Sequence, residues 1–161
     1  DQYGCNFVTI IPCNVYGPND NYHLEDGHVI PALIHKIYNA KVKNAGWVNV
    51  WGSGKPYREF LYSKDAAFLA TRVMEEYNRK YPLIISPDEE ISIATLIQKI
   101  CYRIDYTGKI YYSKDKDGQF RKPSDNSLMK KLFPDFKLTP IEVGLQKTIE
   151  YFIENYNEVR K

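Results

Sequence analysis

His28 is the residue of this chain best placed to move a proton. It stands inside NVYGPNDNYHLEDGHVIPAL, between a loop and what reads as the first turn of a helix. The loop Tyr16-Gly17-Pro18-Asn19-Asp20-Asn21 is dense in turn formers. Apolar residues resume at Val29, Ile30, Leu33, Ile34 and Ile37, which is helical spacing. Pro31 suits a first helical turn, where its missing amide hydrogen costs little. Imidazoles titrate near neutral pH, so one held at such a junction can act as general acid or base. A histidine near a helix start is also commonly structural or simply solvated, and position alone leaves both readings open.

The other candidates are scattered polar and aromatic residues: Lys36, Trp51, Arg58 and the loop Asp117-Gly118-Gln119. A tryptophan beside a glycine turn, followed by an arginine, suits stacking together with anion recognition. On spacing alone the plainer reading, a half-buried core tryptophan and a surface arginine, is favoured. Gly52-Ser53-Gly54-Lys55 lacks P-loop spacing, and no helix pattern follows it directly, so it reads as a tight turn between short strands. The chain holds no G-x-G-x-x-G fingerprint and no serine in a nucleophile elbow. No metal is expected, because Cys5, Cys13 and Cys101 lack ligand spacing, as do the histidines and acids.

Composition narrows the class further. The 161 residues carry a formal net charge of +2, with acids and bases mixed along the chain. Lys114-Asp115-Lys116-Asp117 alternates in sign, which reads as a solvated loop and argues against a nucleic-acid stripe. No apolar run reaches membrane-spanning length, so no membrane partner is expected. Three cysteines without a framework read as reduced thiols in a cytoplasmic protein.

What must position these residues is an α/β scaffold. Gly4 to Pro12, with Phe7-Val8-Thr9-Ile10-Ile11 continuous and β-branched, predicts a strand buried in a parallel sheet. A chain that opens on such a strand is expected to be the C-terminal portion of a longer protein. A helix follows over Val29–Ala40, then short strands at Trp47–Trp51 and Arg58–Tyr62. Ser63 is the expected N-cap of a helix that buries Ala66, Leu69, Ala70, Val73 and Met74 and ends near Tyr81-Pro82. Leu83–Ser86 predicts a strand. Ser92 is expected to cap a helix with the stripe Ile93, Leu96, Ile97, Ile100 and Ile104. Lys109–Tyr112 predicts a further strand, and Asp125 the cap of a short helix ending at Leu132. Thr139-Pro140-Ile141-Glu142 has the pattern of a capping box for a last helix burying Ile141, Leu145, Ile149 and Phe152. Alternating strands and helices make the class α/β.

Over essentially its whole length the chain resembles the C-terminal half of the GDP-L-fucose synthase family, within the extended short-chain dehydrogenase/reductases. The likeness rests on IIPCNVYGPNDNYHLEDGHVIPALIHKIYNAK, VWGSGKPYREFLYSKDAA, IISPDEEISIATLIQKI, KDKDGQFRKPSDNSLMKKLFPDF and the last helix. NVYGP followed by WGSG-x-x-x-REF is shared by many nucleotide-sugar epimerases and dehydratases, whereas DNY-x-x-x-D-GHVIPAL and DGQFRK are more specific to this branch.

The resemblance implies the C-terminal part of an NAD(P)-binding Rossmann-like protein. Residues 1–28 would end the cofactor-domain sheet and form the active-site loop. Residues 29–161 would be mainly the nucleotide-sugar domain, with segments returning to the cofactor domain. It implies an NADPH-dependent 3,5-epimerase/4-reductase acting on GDP-4-keto-6-deoxy-D-mannose, homodimeric at full length. His28 matches the acid/base histidine, which also contacts cofactor. Pro12, Cys13, Asn14 and Val15 match the segment along the nicotinamide end of NADP(H). Lys36, Trp51, Arg58 and Asp117 match positions that hold the GDP-sugar. The family's Tyr-x-x-x-Lys pair, its serine, its active-site cysteine and its glycine-rich loop belong to the other half, so residues 1–161 alone are expected to be inactive, and Cys13 is not the catalytic cysteine. Another nucleotide-sugar epimerase or dehydratase, and a non-catalytic nucleotide-sugar-binding module, are the alternatives.

Overall fold

The computed structural model describes residues 2–113 and 117–161. The solvated loop expected at Lys114-Asp115-Lys116 lies outside the described residues. Eight short strands and five helices alternate along the described chain. The strands are β1 (Ile10–Pro12), β2 (Asn14–Tyr16), β3 (Trp47–Val50), β4 (Tyr57–Arg58), β5 (Phe60–Tyr62), β6 (Leu83–Ile85), β7 (Ile91–Ser92) and β8 (Lys109–Tyr112). The helices are α1 (Val29–Val42), α2 (Ser63–Glu76), α3 (Ile93–Ile104), α4 (Ser127–Leu132) and α5 (Ile141–Glu154). The strands pair two by two: β1 with β6, β2 with β5 and β3 with β8 are parallel, and β4 with β7 is antiparallel. Parallel pairs joined through helices define the α/β class expected from the pattern.

Two apolar cores organise the chain. One gathers Ile34 and Ile37 of α1, Val48 of β3, Leu96 and Ile100 of α3, and Phe152 of α5. The other gathers Leu61, Leu69, Val73, Leu83, Ile85 and Met129 around β5, α2, β6 and α4. The helical stripes explain the first core. Leu96, Ile97, Ile100 and Ile104 are all buried, each contributing about 1.5–3 kcal/mol relative to exposure. Ser92 caps α3 as expected, its hydroxyl accepting from the Thr95 amide at 3.1 Å. α1 stops where Asn44 turns left-handed (φ 51°) and the Ala45 amide reaches back to the Ala40 carbonyl at 2.8 Å.

The structure corrects several expectations. Phe7, Val8 and Thr9 lie outside β1, and Phe7 is 85% exposed. Among the described residues β1 has one hydrogen-bonded neighbour, and Ile10 packs on the second core while Ile11 on the opposite face is exposed. The strand expected over Arg58–Tyr62 is broken at Glu59. Arg58 pairs with Ile91 on one side of the break, and Phe60 with Asn14 on the other.

α2 has no side-chain cap: Tyr62 occupies the N-cap and Ser63 is already helical. It ends at Glu76 because Tyr77 turns extended and buries its ring in the second core. Met74 lies off the buried stripe and is exposed. α4 begins after Asn126, yet the Asp125 carboxylate still accepts from the Ser127 amide at 3.0 Å. The capping box at α5 does not form. Thr139 gives its amide and hydroxyl to buried Asp65 at 2.6 and 3.0 Å, and Glu142 pairs with Lys99.

Candidate active site

His28 is delivered by a loop that is itself anchored in the first core. Tyr22 is fully buried, packs its ring tilted against Phe152 with centroids 4.6 Å apart, and donates its amide to the Arg160 carbonyl at 2.8 Å. From that anchor the chain makes a tight turn. The ring nitrogen Nδ1 of His23 accepts from the amides of Glu25 and Asp26 at 3.3 and 3.0 Å, and the Gly27 amide donates to the His23 carbonyl at 3.0 Å. A Cβ at position 27 would sit 2.3 Å from that carbonyl oxygen, so only glycine closes the turn. His28 follows immediately in extended conformation as the N-cap of α1 (φ −63°, ψ 165°), its carbonyl accepting from the Ala32 amide. Its imidazole caps nothing, is exposed, and makes no hydrogen bond to the described residues. Both ring nitrogens are therefore open to a ligand.

A cleft of about 340 Å³ opens beside that ring, lined by Cys13, Asn14, Val15, Tyr16, His28 and Phe60 among others. Three of the four residues expected along the cofactor are thus in the cleft with His28. Pro12 is on β1, outside its lining. Asn14 is fixed by donating Nδ2 to the Glu59 carbonyl at 2.8 Å. Burial, and next the charge of Glu59, push the Cys13 thiol up to about 12. Cys13 stays a neutral thiol at any physiological pH, in keeping with a lining role and not a nucleophilic one.

Lys36, Trp51, Arg58 and Asp117 do not line this cleft. They gather instead around the end of β3. Lys36, on α1, donates Nζ to the Asn49 carbonyl at 3.4 Å. Gly52 and Gly54 are both left-handed (φ 75°), which makes Gly52-Ser53-Gly54-Lys55, next to Trp51, the tight turn its spacing suggested. Asp117 clamps that turn: its carboxylate accepts from the Ser53 amide at 2.7 Å and the Ser53 hydroxyl at 2.5 Å. The Ser53 side chain, then its amide, hold the Asp117 carboxyl below the usual range. Arg58 donates to the Tyr57 carbonyl at 2.6 Å, and its Nη2 is 3.8 Å from where a side chain at Gly118 would begin. Trp51 is 68% exposed, which removes the core reading of this residue.

The two groups are joined by α1, on which His28 and Lys36 sit eight positions apart, or about 12 Å along the axis. Val29 and Lys36, seven apart, share one helix face. The arrangement can therefore present a proton-transfer group at one end and a cationic, aromatic surface at the other. The reading of single residues missed Glu59 and Ser124. The Glu59 carboxylate accepts from the Ser124 amide at 2.9 Å and hydroxyl at 2.5 Å, a pairing for which no sequence spacing gives a signal.

Parallel strand pairs alternating with helices, and a free histidine lining a cleft where β1 passes into β2, make an α/β scaffold with an open site at the ends of its strands. Residues 1–85 match the model of the NAD dependent epimerase/dehydratase family, and the chain belongs to that family. It is 43% identical to GDP-L-fucose synthase of Dictyostelium discoideum, the match covering 100% of this chain and 51% of that protein. It is 34% identical to GDP-L-fucose synthase of Escherichia coli (strain K12), covering 99% of this chain and 52% of that one. A crystal structure of a GDP-L-fucose synthetase from Naegleria fowleri bound to NADP superposes with a TM-score of 0.92 at 40% identity, over 96% of this chain and 49% of that one. UDP-glucose 4-epimerase of Thermotoga maritima shares the fold, with a TM-score of 0.83 at 18% identity. The chain spans about half the length of the curated relatives it matches. No helix among the described residues is long and apolar enough to cross a membrane.

Proposed function

We propose that residues 1–161 form the substrate-facing half of an enzyme that converts GDP-4-keto-6-deoxy-D-mannose to GDP-L-fucose by 3,5-epimerisation and then reduction of the 4-ketone with NADPH. The observation that carries this reading is the imidazole of His28: free, exposed, and held by a closed turn at the mouth of the Cys13–Tyr16 cleft. Relatives named GDP-L-fucose synthase support the substrate.

The chemistry asks for such a group. A 4-keto group acidifies the hydrogens on the carbons either side of it. His28, unprotonated, takes one of them. The electron pair moves into an enolate, a second acid from the other half of the protein delivers a proton to the opposite face and so inverts the centre, and His28 releases its proton to solvent. The sequence occurs at two carbons, which suits a side chain that can both accept and donate a proton. Arg58 and Lys36 carry the charge complement of a diphosphate, Arg as a planar fork and Lys as a compact cation. Trp51 offers an exposed aromatic face to the ligand. Asp117 acts on the ligand by shaping the turn that carries Trp51, and its remaining lone pairs can accept from hydroxyl or amino groups.

The donor set of the cleft fits one end of NADP(H). Asn14, with Nδ2 committed to Glu59, keeps a side-chain oxygen to accept from a carboxamide, and Cys13 and Val15 supply apolar lining. Pro12 leads into that segment from β1. NADP(H), when bound, supplies hydride to the ketone carbon. Ile10, Cys13 and Val15 pack on the second core with α2, β6 and α4, which supports a division in which residues 1–28 finish a cofactor domain and residues 29–161 form mainly the sugar-nucleotide domain, with α2, β6 and α4 returning to the former; Tyr16 and Tyr22 join the first core. We further propose a cytoplasmic homodimer, a setting in which thiols stay reduced.

The test is a substrate panel on the full-length protein. NADPH oxidation with GDP-4-keto-6-deoxy-D-mannose and none with GDP-D-mannose supports the reading. Turnover of GDP-D-mannose alone would replace it with a dehydratase.

A further inference from the structure

The geometry points to Glu59 as a positioning residue that ties the His28 cleft to Arg58 and the segment bearing Asp117, an inference that rests on the function proposed above. Glu59 stands where the extended chain changes partners, between Arg58 in β4 and Phe60 in β5. It is 4% exposed. A buried carboxylate is costly unless donors meet it. Here the donors come from one residue, Ser124, through its amide at 2.9 Å and its hydroxyl at 2.5 Å.

The main chain of Glu59 faces the other group. Its carbonyl accepts from Asn14 Nδ2 at 2.8 Å, and Asn14 lines the His28 cleft. One residue thus bonds the cleft through its backbone and the segment bearing Asp117 through its side chain. That segment is otherwise attached at Asp117 to Ser53, at the Phe120 carbonyl, which takes the Tyr57 amide at 2.9 Å, and at Arg121 to Glu90. The Asp117 bonds are exposed, and the ion pair joins an exposed Arg121 to a largely buried Glu90. The Glu59–Ser124 pair anchors the far end of the segment on a buried carboxylate, just ahead of buried Asn126, which donates Nδ2 to the Ser86 carbonyl and to Asp88. Because successive side chains of an extended chain project to opposite sides, holding Glu59 against Ser124 also sets the side on which Arg58 emerges, next to Gly118.

The roles separate under substitution because the side chain serves one group and the backbone the other. In the full-length protein, Glu59→Ala and Ser124→Ala are each expected to raise the GDP dissociation constant, measured by calorimetry, and KM for the keto-sugar about tenfold. Deuterium incorporation at saturating substrate is expected to stay within about twofold of wild type, since the Glu59 carbonyl still holds Asn14. Glu59→Gln keeps an acceptor for the Ser124 amide and is expected to restore GDP affinity to within about threefold of wild type. The double variant Glu59→Ala/Ser124→Ala is expected to be no weaker than Glu59→Ala, as for two ends of one contact. Wild-type GDP affinity in Ser124→Ala, which leaves the buried acid in place should Glu59→Ala fail to fold, overturns the assignment. So does a parallel fall of binding and exchange in which Glu59→Gln is no better than Glu59→Ala. If wild-type protein binds GDP and turns over the keto-sugar while the variants match it, Glu59 alone falls. If wild-type protein does neither, the proposed function falls and takes Glu59 with it.

Discussion

The carboxylate of Asp117 holds the amide and hydroxyl of Ser53 at 2.7 and 2.5 Å, closing the turn that carries the exposed indole of Trp51. Those bonds favour the ionised acid and keep its pKa low. The clamp is therefore complete above the ordinary carboxylate range and is lost only as pH falls through the lowered value. Asp117→Ala is expected to weaken GDP binding by the full-length protein about two- to tenfold at neutral pH. Asp117→Asn, which keeps an acceptor for the Ser53 amide, is expected to lose less. Calorimetry with GDP checks both, and unchanged affinity in Asp117→Ala would separate the turn from nucleotide binding.

Arg58 sits beside Gly118 in the same group of residues. Arg58→Ala is expected to raise KM for the GDP-sugar about 10- to 100-fold, the range for losing a hydrogen-bonded charge against a diphosphate, with a smaller change in kcat. Arg58→Lys is expected to restore only part of this, because an ammonium cannot reproduce the planar fork. Steady-state kinetics decide, and a wild-type KM in Arg58→Ala would contradict the role.

His35 offers a test of the scaffold. It is buried between Phe152 and Tyr156 with Nδ1 2.8 Å from the Tyr22 carbonyl. Burial lowers its pKa. The unfolded chain thus takes the proton first as pH falls, so stability is full above the ordinary imidazole range and declines as pH drops through it toward the lowered folded-state value. Urea unfolding between about pH 7.5 and about pH 5.5 is expected to show that decline. In His35→Gln, which keeps a donor for Tyr22 but does not titrate, the slope over this window should shrink. An identical slope would show that other groups set it.

Residues 1–161 on their own are expected to show no NADPH oxidation with the keto-sugar, since no glycine-rich dinucleotide fingerprint occurs in them. Addition of the purified chain to substrate and NADPH, followed by absorbance, checks this. Turnover above background would place the reductive machinery within this chain.

The helices were the most legible part of the fold. The stripe from Leu96 to Ile104 and the serine cap at Ser92 give α3 its face and its start, and both signals are local. Partner choice was not legible. Nothing in REFLY indicates that the chain leaves β7 for β2 at Glu59, because the partners on either side, Ile91 and Asn14, are both distant in sequence. Thr139 has a capping-box pattern, yet buried Asp65 competes for its amide and hydroxyl and wins them. Phe7 reads as core by residue type and is exposed because burial depends on what covers a strand. In the site, His28 and the glycine turn were visible from turn formers and helical spacing. Their separation into a cleft and a second group at the end of β3 required the fold.

The most direct measurement is deuterium wash-in at the sugar carbons flanking the ketone, in heavy water, with full-length wild-type protein and His28→Gln. His28→Gln is expected to suppress incorporation by about 100-fold or more, as for loss of a positioned acid/base group, while NADPH still binds. Incorporation at the wild-type rate would remove His28 from the chemistry.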